Sequence, residues 1–218
     1  MKEVYTTLFQ RILQGFYPPD TWLREDALSE EFGISRTPIR EFLRQLERGF
    51  LVQLIPNRGA KVLPFTADDV EDLYEIRKSL EILALKYAAP VMGIQGLMDL
   101  RAMVIDCAQS DDAARNTEVD LNLHNYFIEA SRRRRIILTL QQQLVLLKFF
   151  REMGFSHKEE RASTVTEHLE FIDALCVRDL KKAIEILGRH IDNSKTRALS
   201  KLAKAGFGRS PVPVPKTQ

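Results

Sequence analysis

The sequence contains few cysteines, no long apolar run and no large excess of charge of either sign. Its 218 residues include only Cys107 and Cys176, too few for a disulfide framework. The 32 basic and 30 acidic residues nearly balance, so affinity for an anionic polymer would have to come from a local cluster. No apolar run approaches the roughly 18 residues of a membrane helix, and the N-terminus lacks a secretory signal. We therefore expect a soluble cytoplasmic protein that binds no membrane.

Residues 1–63 combine helical spacing of apolar residues with a later β-hairpin signal. The pattern predicts helices at about residues 4–13, 26–32 and 35–48, and strands at 50–55 and 60–63. Gly33 allows a tight turn before the third helix, which would have Ser35 as its N-cap and Pro38 in its first turn. Pro56-Asn-Arg-Gly59 is a turn sequence. Three helices followed by a hairpin predict a winged helix-turn-helix domain.

The third predicted helix carries an arginine at every fourth position. In helix-turn-helix domains this helix enters the major groove of DNA with its N-terminus first, and arginine binds guanine edges or phosphates. Side chains at the helix N-terminus can reach the DNA backbone, and a glycine at a wing tip allows close approach to the minor groove. The predicted DNA-binding residues are Ser35, Arg36, Thr37, Arg40, Arg44, Arg58 and Gly59.

A solvated helix face is the alternative interpretation of the arginine stripe. It applies best to Arg44 and Arg48, because Glu41 and Glu47 stand beside them. Arg36 and Arg40 lie in the first turns after the Gly33 turn, where DNA contact is the favoured prediction.

Residues 28–46 resemble the signature of the GntR family of bacterial regulators. The segment Leu28-Ser-Glu-Glu-Phe-Gly-Ile-Ser-Arg-Thr-Pro-Ile-Arg-Glu-Phe-Leu-Arg-Gln-Leu46 is similar, without a gap, to the family core G-V-S-R-T-P-V-R-E-A-L. The resemblance implies that Ser35, Arg36, Thr37, Arg40 and Gly59 bind operator DNA, and that a homodimer binds a palindromic site. Asp26 departs from the family pattern, since some members have a DNA-contacting arginine there, and Phe42 replaces a small alanine.

The rest of the chain is predicted to be helical. Residues 64–69 form a linker in which Thr66 and Asp69 make a capping box, and residues 70–204 form a helical bundle. The predicted helices cover residues 67–89, 93–108, 116–131, 134–153, 159–177 and 179–203. Residues 205–218, rich in glycine and proline, are predicted to be disordered. The basic run Arg132–Arg135 is interpreted as a solvated helix junction rather than a second nucleic-acid site.

Histidines on separate helices raise the question of a metal site. Asp120 and His124 share a helix face at i, i+4 spacing, and His168 and His190 lie on two later helices. One carboxylate and three imidazoles from a bundle are a plausible divalent-metal cage. Spacing alone is also compatible with histidines that are simply packed or exposed.

The helical half resembles the FCD domain, the effector module of FadR-type GntR regulators. Metal-binding members have a D-x-x-x-H element followed by two histidines on later helices. The resemblance therefore implies that Asp120, His124, His168 and His190 bind a divalent metal, whereas His157 lies outside the pattern. Imidazole-rich sites favour zinc, with nickel or manganese as alternatives.

Arg77 is the predicted effector-binding residue. It matches an FCD arginine that reaches into the ligand cavity, and a guanidinium suits a small carboxylate. Its alternative role is a surface ion pair with Glu81 at i+4. An effector that prefers one domain arrangement would shift the dimer between DNA-competent and DNA-incompetent states.

Two other classes of function remain open at this point. An enzyme could use the Asp/His cage to activate water, but no H-E-x-x-H arrangement or nucleophile motif accompanies it. A protein-interaction module could use the winged helix without binding DNA. We predict a non-enzymatic transcriptional regulator.

Overall fold

The computed structural model describes residues 2–110, 112–154 and 158–204. Its contacts divide the chain into two compact units. The first extends through Val70 and includes the end of the last helix from Lys201, and the second spans Glu71–Ser200. The tail predicted to be disordered, residues 205–218, lies outside the described residues, as does His157. The domain boundaries at residues 63/64 and 69/70 stay predictions.

The first unit has the predicted winged helix-turn-helix fold. Apolar side chains of α1 and α3 meet in its core, where Leu8, Ile39 and Leu43 are fully buried. The elements are α1 (Lys2–Leu13), β1 (Trp22–Leu23), α2 (Glu25–Phe32), α3 (Arg36–Arg48), β2 (Val52–Ile55) and β3 (Gly59–Val62).

Strand β1 was not expected from the sequence, because two residues are too few to show alternation. The sheet order is β1-β3-β2, and both pairings are antiparallel. Pairing of Leu23 with Ala60 brings β1 against the start of β3. Gly59 has a φ of 99°, and a Cβ atom at this position would lie 2.5 Å from the carbonyl oxygen of Leu23. The sheet itself therefore requires glycine at the wing, independently of DNA.

The turn between α2 and α3 differs from the prediction in one detail. Gly33 adopts the left-handed conformation, with φ 64°, and ends α2 as expected. Ser35 occupies the N-cap position of α3, but its side chain makes no capping hydrogen bond. The Ser35 hydroxyl consequently remains at the exposed entrance of α3.

After the winged helix-turn-helix, the described residues form helices and no strand, as the predicted all-helical bundle requires. The helices are α4 (Ala67–Ala88), α5 (Ile94–Ala108), α6 (Ala113–Ala130), α7 (Arg134–Gly154), α8 (Lys158–Cys176) and α9 (Leu180–Lys204). The capping box forms, since the backbone N–H of Thr66 donates to Asp69 Oδ2 over 2.6 Å. Helix α6 begins earlier than predicted because the Asp112 side chain accepts a hydrogen bond from Ala114 N–H and caps it. No helix in the described ranges is long and apolar enough to cross a membrane.

Candidate DNA interface and candidate metal centre

A cleft of about 510 Å³ lies in the first unit between the start of α2, one face of α3 and the turn that joins β2 to β3. Five arginines and the two acidic residues Glu25 and Asp26 line it, so the cleft has a local excess of positive charge although the charges of the whole chain nearly balance. The arginines are Arg24, Arg36, Arg40, Arg44 and Arg58. A basic groove beside a recognition helix is the electrostatic footprint of a DNA-binding surface.

The arginines of α3 differ in their partners. Arg36 is exposed at the first position of α3 and has no ion pair within the described residues. Arg40 donates two hydrogen bonds to the Glu25 carboxylate, over 2.8 and 2.7 Å. These bonds to Arg40 lower the pKa of Glu25. Arg44 pairs with Glu41 over 2.8 Å on the exposed helix surface. Arg40 and Arg44 are therefore both ion-paired on the helix surface, so ion pairing does not separate the two interpretations of the stripe.

Arg24 is a cleft residue that the sequence did not single out. It occupies the N-cap position of α2, its side chain is 71% exposed, and its Nε lies 3.5 Å from Asp26 Oδ1. A basic residue directly before α2 is the sequence signal that could have indicated a DNA contact here. It was missed because the helix was predicted to start at Asp26, one residue after its observed first residue, Glu25.

The turn between β2 and β3 presents Arg58 beside the glycine that the sheet requires. Asn57 has a φ of 62°, and the backbone N–H of Arg58 donates to Ile55 carbonyl over 3.0 Å. This tight turn places Arg58 and Gly59 on the lining of the same cleft as α3.

In the second unit, the four predicted metal ligands come together. Asp120 and His124 of α6, His168 of α8 and His190 of α9 offer ligand atoms that all lie within 4.8 Å of one another. Each of the four side chains is buried. Helices distant in sequence thus converge on one small polar cluster inside an apolar bundle.

One carboxylate oxygen lies close to all three histidines. Asp120 Oδ1 lies 3.1 Å from His168 Nε2, 3.4 Å from His190 Nε2 and 3.6 Å from His124 Nε2. The Nε2 atoms of His124 and His190 are 3.2 Å apart. Three imidazole nitrogens and a carboxylate that face one point fit a divalent cation such as zinc.

Two buried glutamates hold the outer nitrogens of the histidines. Glu81 Oε2 lies 2.5 Å from His124 Nδ1, and Glu167 Oε2 lies 2.8 Å from His190 Nδ1. A carboxylate that accepts a hydrogen bond from Nδ1–H leaves Nε2 as the lone-pair donor and orients the ring, as in many metal sites. Asn193 in turn donates to Glu167 Oε1 over 2.5 Å. The sequence prediction did not include either glutamate.

Burial and neighbouring groups set the ionisation of the cluster. Burial lowers the pKa of His168 to about 4, so its imidazole is neutral near pH 7 and can bind a metal. Burial works against the Glu167 carboxylate, but hydrogen bonding and charge from His190, with further help from Asn193, lower its pKa to about 2. Glu167 is therefore an anion that supports His190.

Arg77 lies next to this cluster and is completely buried. Its Nε donates to Glu81 Oε1 over 2.7 Å, and one of its terminal nitrogens lies 3.1 Å from His124 Nε2. The other terminal nitrogen, Nη1, has no hydrogen-bond partner among the described residues. The i+4 pair with Glu81 thus exists, but it is an interior pair, and the alternative of a surface ion pair is wrong.

A winged helix-turn-helix with a basic cleft, followed by a helical bundle, is the architecture of a one-component transcriptional regulator, in which one polypeptide carries both the DNA-binding and the effector domain. Residues 1–62 match the gntR family of bacterial regulatory proteins, and residues 72–193 match the FCD domain. The chain belongs to the GntR family and carries an FCD effector-binding domain.

Its relatives are regulators rather than enzymes. The transcriptional repressor RspR of Escherichia coli is 24% identical over 196 residues, which cover 87% of this chain and 85% of RspR. The HTH-type regulator YdhC of Bacillus subtilis is also 24% identical, over 88% of this chain and 87% of YdhC. The predictions of a transcriptional regulator and of no enzymatic activity are confirmed.

Solved structures share the fold. Lar, which controls the agr system of Listeria monocytogenes, superposes with a TM-score of 0.69 at 21% identity, covering 90% of this chain and 95% of Lar. The metal-free FCD domain of TM0439 gives a TM-score of 0.57 at 21% identity, over 65% of this chain and 99% of that domain.

Proposed function

We propose that this regulator binds operator DNA as a homodimer, and that a small carboxylate bound beside a divalent metal in the FCD domain modulates its affinity for DNA. The observation that carries the proposal is the buried Asp120/His124/His168/His190 cluster with the unpartnered Nη1 of Arg77 beside it. A regulator built this way would act in the cytoplasm, where its DNA lies.

The DNA contact is assigned to the basic cleft. Arg36 and Thr37 at the start of α3 are exposed and approach the major groove, with the uncapped Ser35 hydroxyl on the phosphate backbone. Arg40 can exchange its Glu25 partner for DNA, or present that carboxylate to a base. Arg44, and Arg58 with Gly59 at the wing, complete the predicted contact, and Arg24 extends it at the entrance of α2.

The metal would be held by Asp120, His124, His168 and His190. Zinc suits a set of three imidazoles and a carboxylate, and nickel or manganese fits if further ligands complete a larger coordination shell. When bound, the metal supplies a Lewis-acidic position at which an effector carboxylate can coordinate. Glu81 and Glu167 orient His124 and His190 toward it.

Arg77 supports a carboxylate effector through its charge and its position. Burial opposes the guanidinium charge, but Glu81 and Asp120 outweigh this and raise the pKa of Arg77, so the side chain remains a cation. Glu81 occupies its Nε, which leaves Nη1 available to an anion. A ligand that ties Arg77 to the metal would therefore link α4 to α6, α8 and α9.

The test measures metal content and acid binding in the same preparation. We expect one divalent metal per chain by elemental analysis, and a carboxylic acid that raises the melting temperature of wild type. Arg77→Lys keeps the charge but loses the planar fork, so acid affinity should fall about 10–100-fold while the metal stays bound. Arg101→Lys is the matched control, since Arg101 pairs with Asp173 at the surface. The proposal would be contradicted if a chelator left the melting temperature unchanged and elemental analysis found less than one equivalent of metal per chain.

A further inference from the structure

Helix α7 carries a polar residue inside its buried apolar face. Leu140, Leu147 and Phe150 are at most 3% exposed. At 100° per residue, Gln143 falls between these side chains on the helix circumference, whereas the neighbouring Gln142 is exposed. An amide among buried apolar side chains is costly unless it is hydrogen-bonded, so Gln143 calls for a specific explanation.

The amide oxygen of Gln143 is buried and accepts no hydrogen bond from any described residue. Arg77 Nη1 is buried in the same way and donates no hydrogen bond within the described part of the chain. One atom is an acceptor and the other is a donor, yet they are not bonded to each other. A group that donates at one end and accepts at the other would satisfy both atoms.

Helix α7 packs antiparallel against α4, the helix that carries Arg77. The Tyr74 ring of α4 lies 6.5 Å from the Phe150 ring near the end of α7. At the other end of the helix pair, the guanidinium of Arg133, directly before α7, lies 3.7 Å from the centre of the Tyr87 ring. The interior face of α7 therefore follows α4 along most of its length.

Gln143 lies at the level of the buried pair between Glu81 and Arg77. It is two turns before Phe150 on α7, and Glu81 is two turns after Tyr74 on α4. Both steps of seven residues return to the same side of the helix and move about 10 Å in the same direction, because the helices are antiparallel. Glu81 Oε1 accepts a hydrogen bond from Arg77 Nε over 2.7 Å. Gln143 is therefore on the α7 surface that faces this pair.

We propose that Gln143 selects the effector, and that the effector is a hydroxycarboxylate. Its carboxylate accepts a hydrogen bond from Arg77 Nη1, and its hydroxyl group donates one to Gln143 Oε1. A simple carboxylate has only acceptors and would leave the Gln143 oxygen unbonded, whereas an ammonium group would bury a further cation near Arg77. This inference rests on the effector site of the proposed function and narrows its ligand class.

The first experiment compares acids that differ by one hydroxyl group. Isothermal titration calorimetry of the full, metal-loaded chain would use butanoate, 2-hydroxybutanoate and 3-hydroxybutanoate. One of the hydroxy acids should bind about 10–100-fold more tightly than butanoate, because a site built to accept a hydrogen bond discriminates against a ligand that lacks the donor. If butanoate binds as tightly as both hydroxy acids, the proposal is overturned, and a water molecule is the better partner for Gln143.

The second experiment removes the acceptor. Gln143→Leu should bind the preferred hydroxy acid about 10–100-fold more weakly, while its affinity for butanoate changes less than about threefold. The ligand-free variant should melt at the wild-type temperature or above it, since an unbonded buried amide is replaced by an apolar side chain. Gln142→Leu, on the exposed side of α7, is the matched control and should keep the wild-type preference. Equal loss of both acids in Gln143→Leu would contradict selection by this residue.

The same titrations separate this inference from the proposed function. If butanoate and the hydroxy acids bind equally and Arg77→Lys weakens all of them, the proposed effector site stands and the role of Gln143 is refuted. If no acid binds the metal-loaded wild type, the proposed effector site fails and the role of Gln143 fails with it. Tighter binding of 2-aminobutanoate than of either hydroxy acid would refute the neutral donor.

Discussion

At the scale of single residues, the proposed metal centre includes side chains that would not touch the metal. Glu81 and Glu167 each accept a hydrogen bond from the outer nitrogen of a histidine, and Glu81 also holds Arg77. These contacts fix ring orientation and tautomer, which a ligand set alone does not fix. If the cluster binds a metal as proposed, we expect the two glutamates to contribute to its affinity by holding the ligand histidines.

Removing one of these carboxylate charges should weaken metal binding without deleting a ligand. Glu167→Gln is expected to lower metal affinity about 10–100-fold, since His190 loses its anionic partner. Competition with a chromogenic chelator measures the change. Glu170→Gln, one turn along α8 and paired with Arg189 on the surface, is the matched control. Equal losses in both variants would argue against a specific role for Glu167.

At the scale of elements, the wing is positioned by a sheet in which the main chain of Gly59 lies directly against the main chain of Leu23. The short β1 pairs with β3, and Gly59 begins β3 directly against the carbonyl oxygen of Leu23. A side chain at this position cannot be accommodated by a rotamer change, because the obstructing atom is main chain. The wing geometry, and with it the position of Arg58, depends on this contact.

Gly59→Ala should accordingly destabilise the first unit. The Cβ atom meets Leu23 O, and the backbone has a φ of 99°, so a loss of roughly 1–3 kcal/mol in the free energy of unfolding is expected. Chemical denaturation followed by circular dichroism measures it. Gly188→Ala is the control, because Gly188 lies inside α9 without a positive φ and a Cβ atom added there would meet only the flexible end of the Lys78 side chain, at 3.4 Å. Comparable loss in the control would refute the steric explanation.

At the scale of the whole molecule, the regulator has a basic cleft in its first unit and a buried Asp/His cluster in its second unit, and the proposed homodimer would have two of each. A homodimer on a palindrome presents two clefts, so each cleft arginine acts twice. In the proposed homodimer, an effector that prefers one arrangement of the two copies by a few kcal/mol would be enough to control DNA binding.

This doubling gives a salt-dependence prediction. If Arg24 contacts a phosphate, Arg24→Gln removes two contacts per dimer, and the slope of log affinity against log salt should become shallower by about two. Fluorescence anisotropy with a selected duplex measures the slope. Arg115→Gln in the second unit, where Arg115 pairs with Asp106, should leave it unchanged. An unchanged slope for Arg24→Gln would exclude Arg24 from the phosphate contacts.

Several features were predictable because their signals are local. Helical spacing, the Gly33 turn and the Thr66–Asp69 capping box depend on neighbours within a few residues, so the helices could be placed within a few residues. The Asp120/His124 pair also follows from one helix face. The convergence of His168 and His190 on that pair was predicted through family resemblance, since spacing alone left open that the histidines were merely packed.

The amino-acid sequence by itself determined the fold class of both halves and the placement of Asp120 and His124 on one helix face, because these follow from periodicity and side-chain type. Only the tertiary structure decided that Glu81 and Glu167 support the histidines, that Arg77 is an interior cation, and that Gly59 faces Leu23 O. These are contacts between segments far apart in the chain. No local pattern encodes them, since they arise when helices and strands pack.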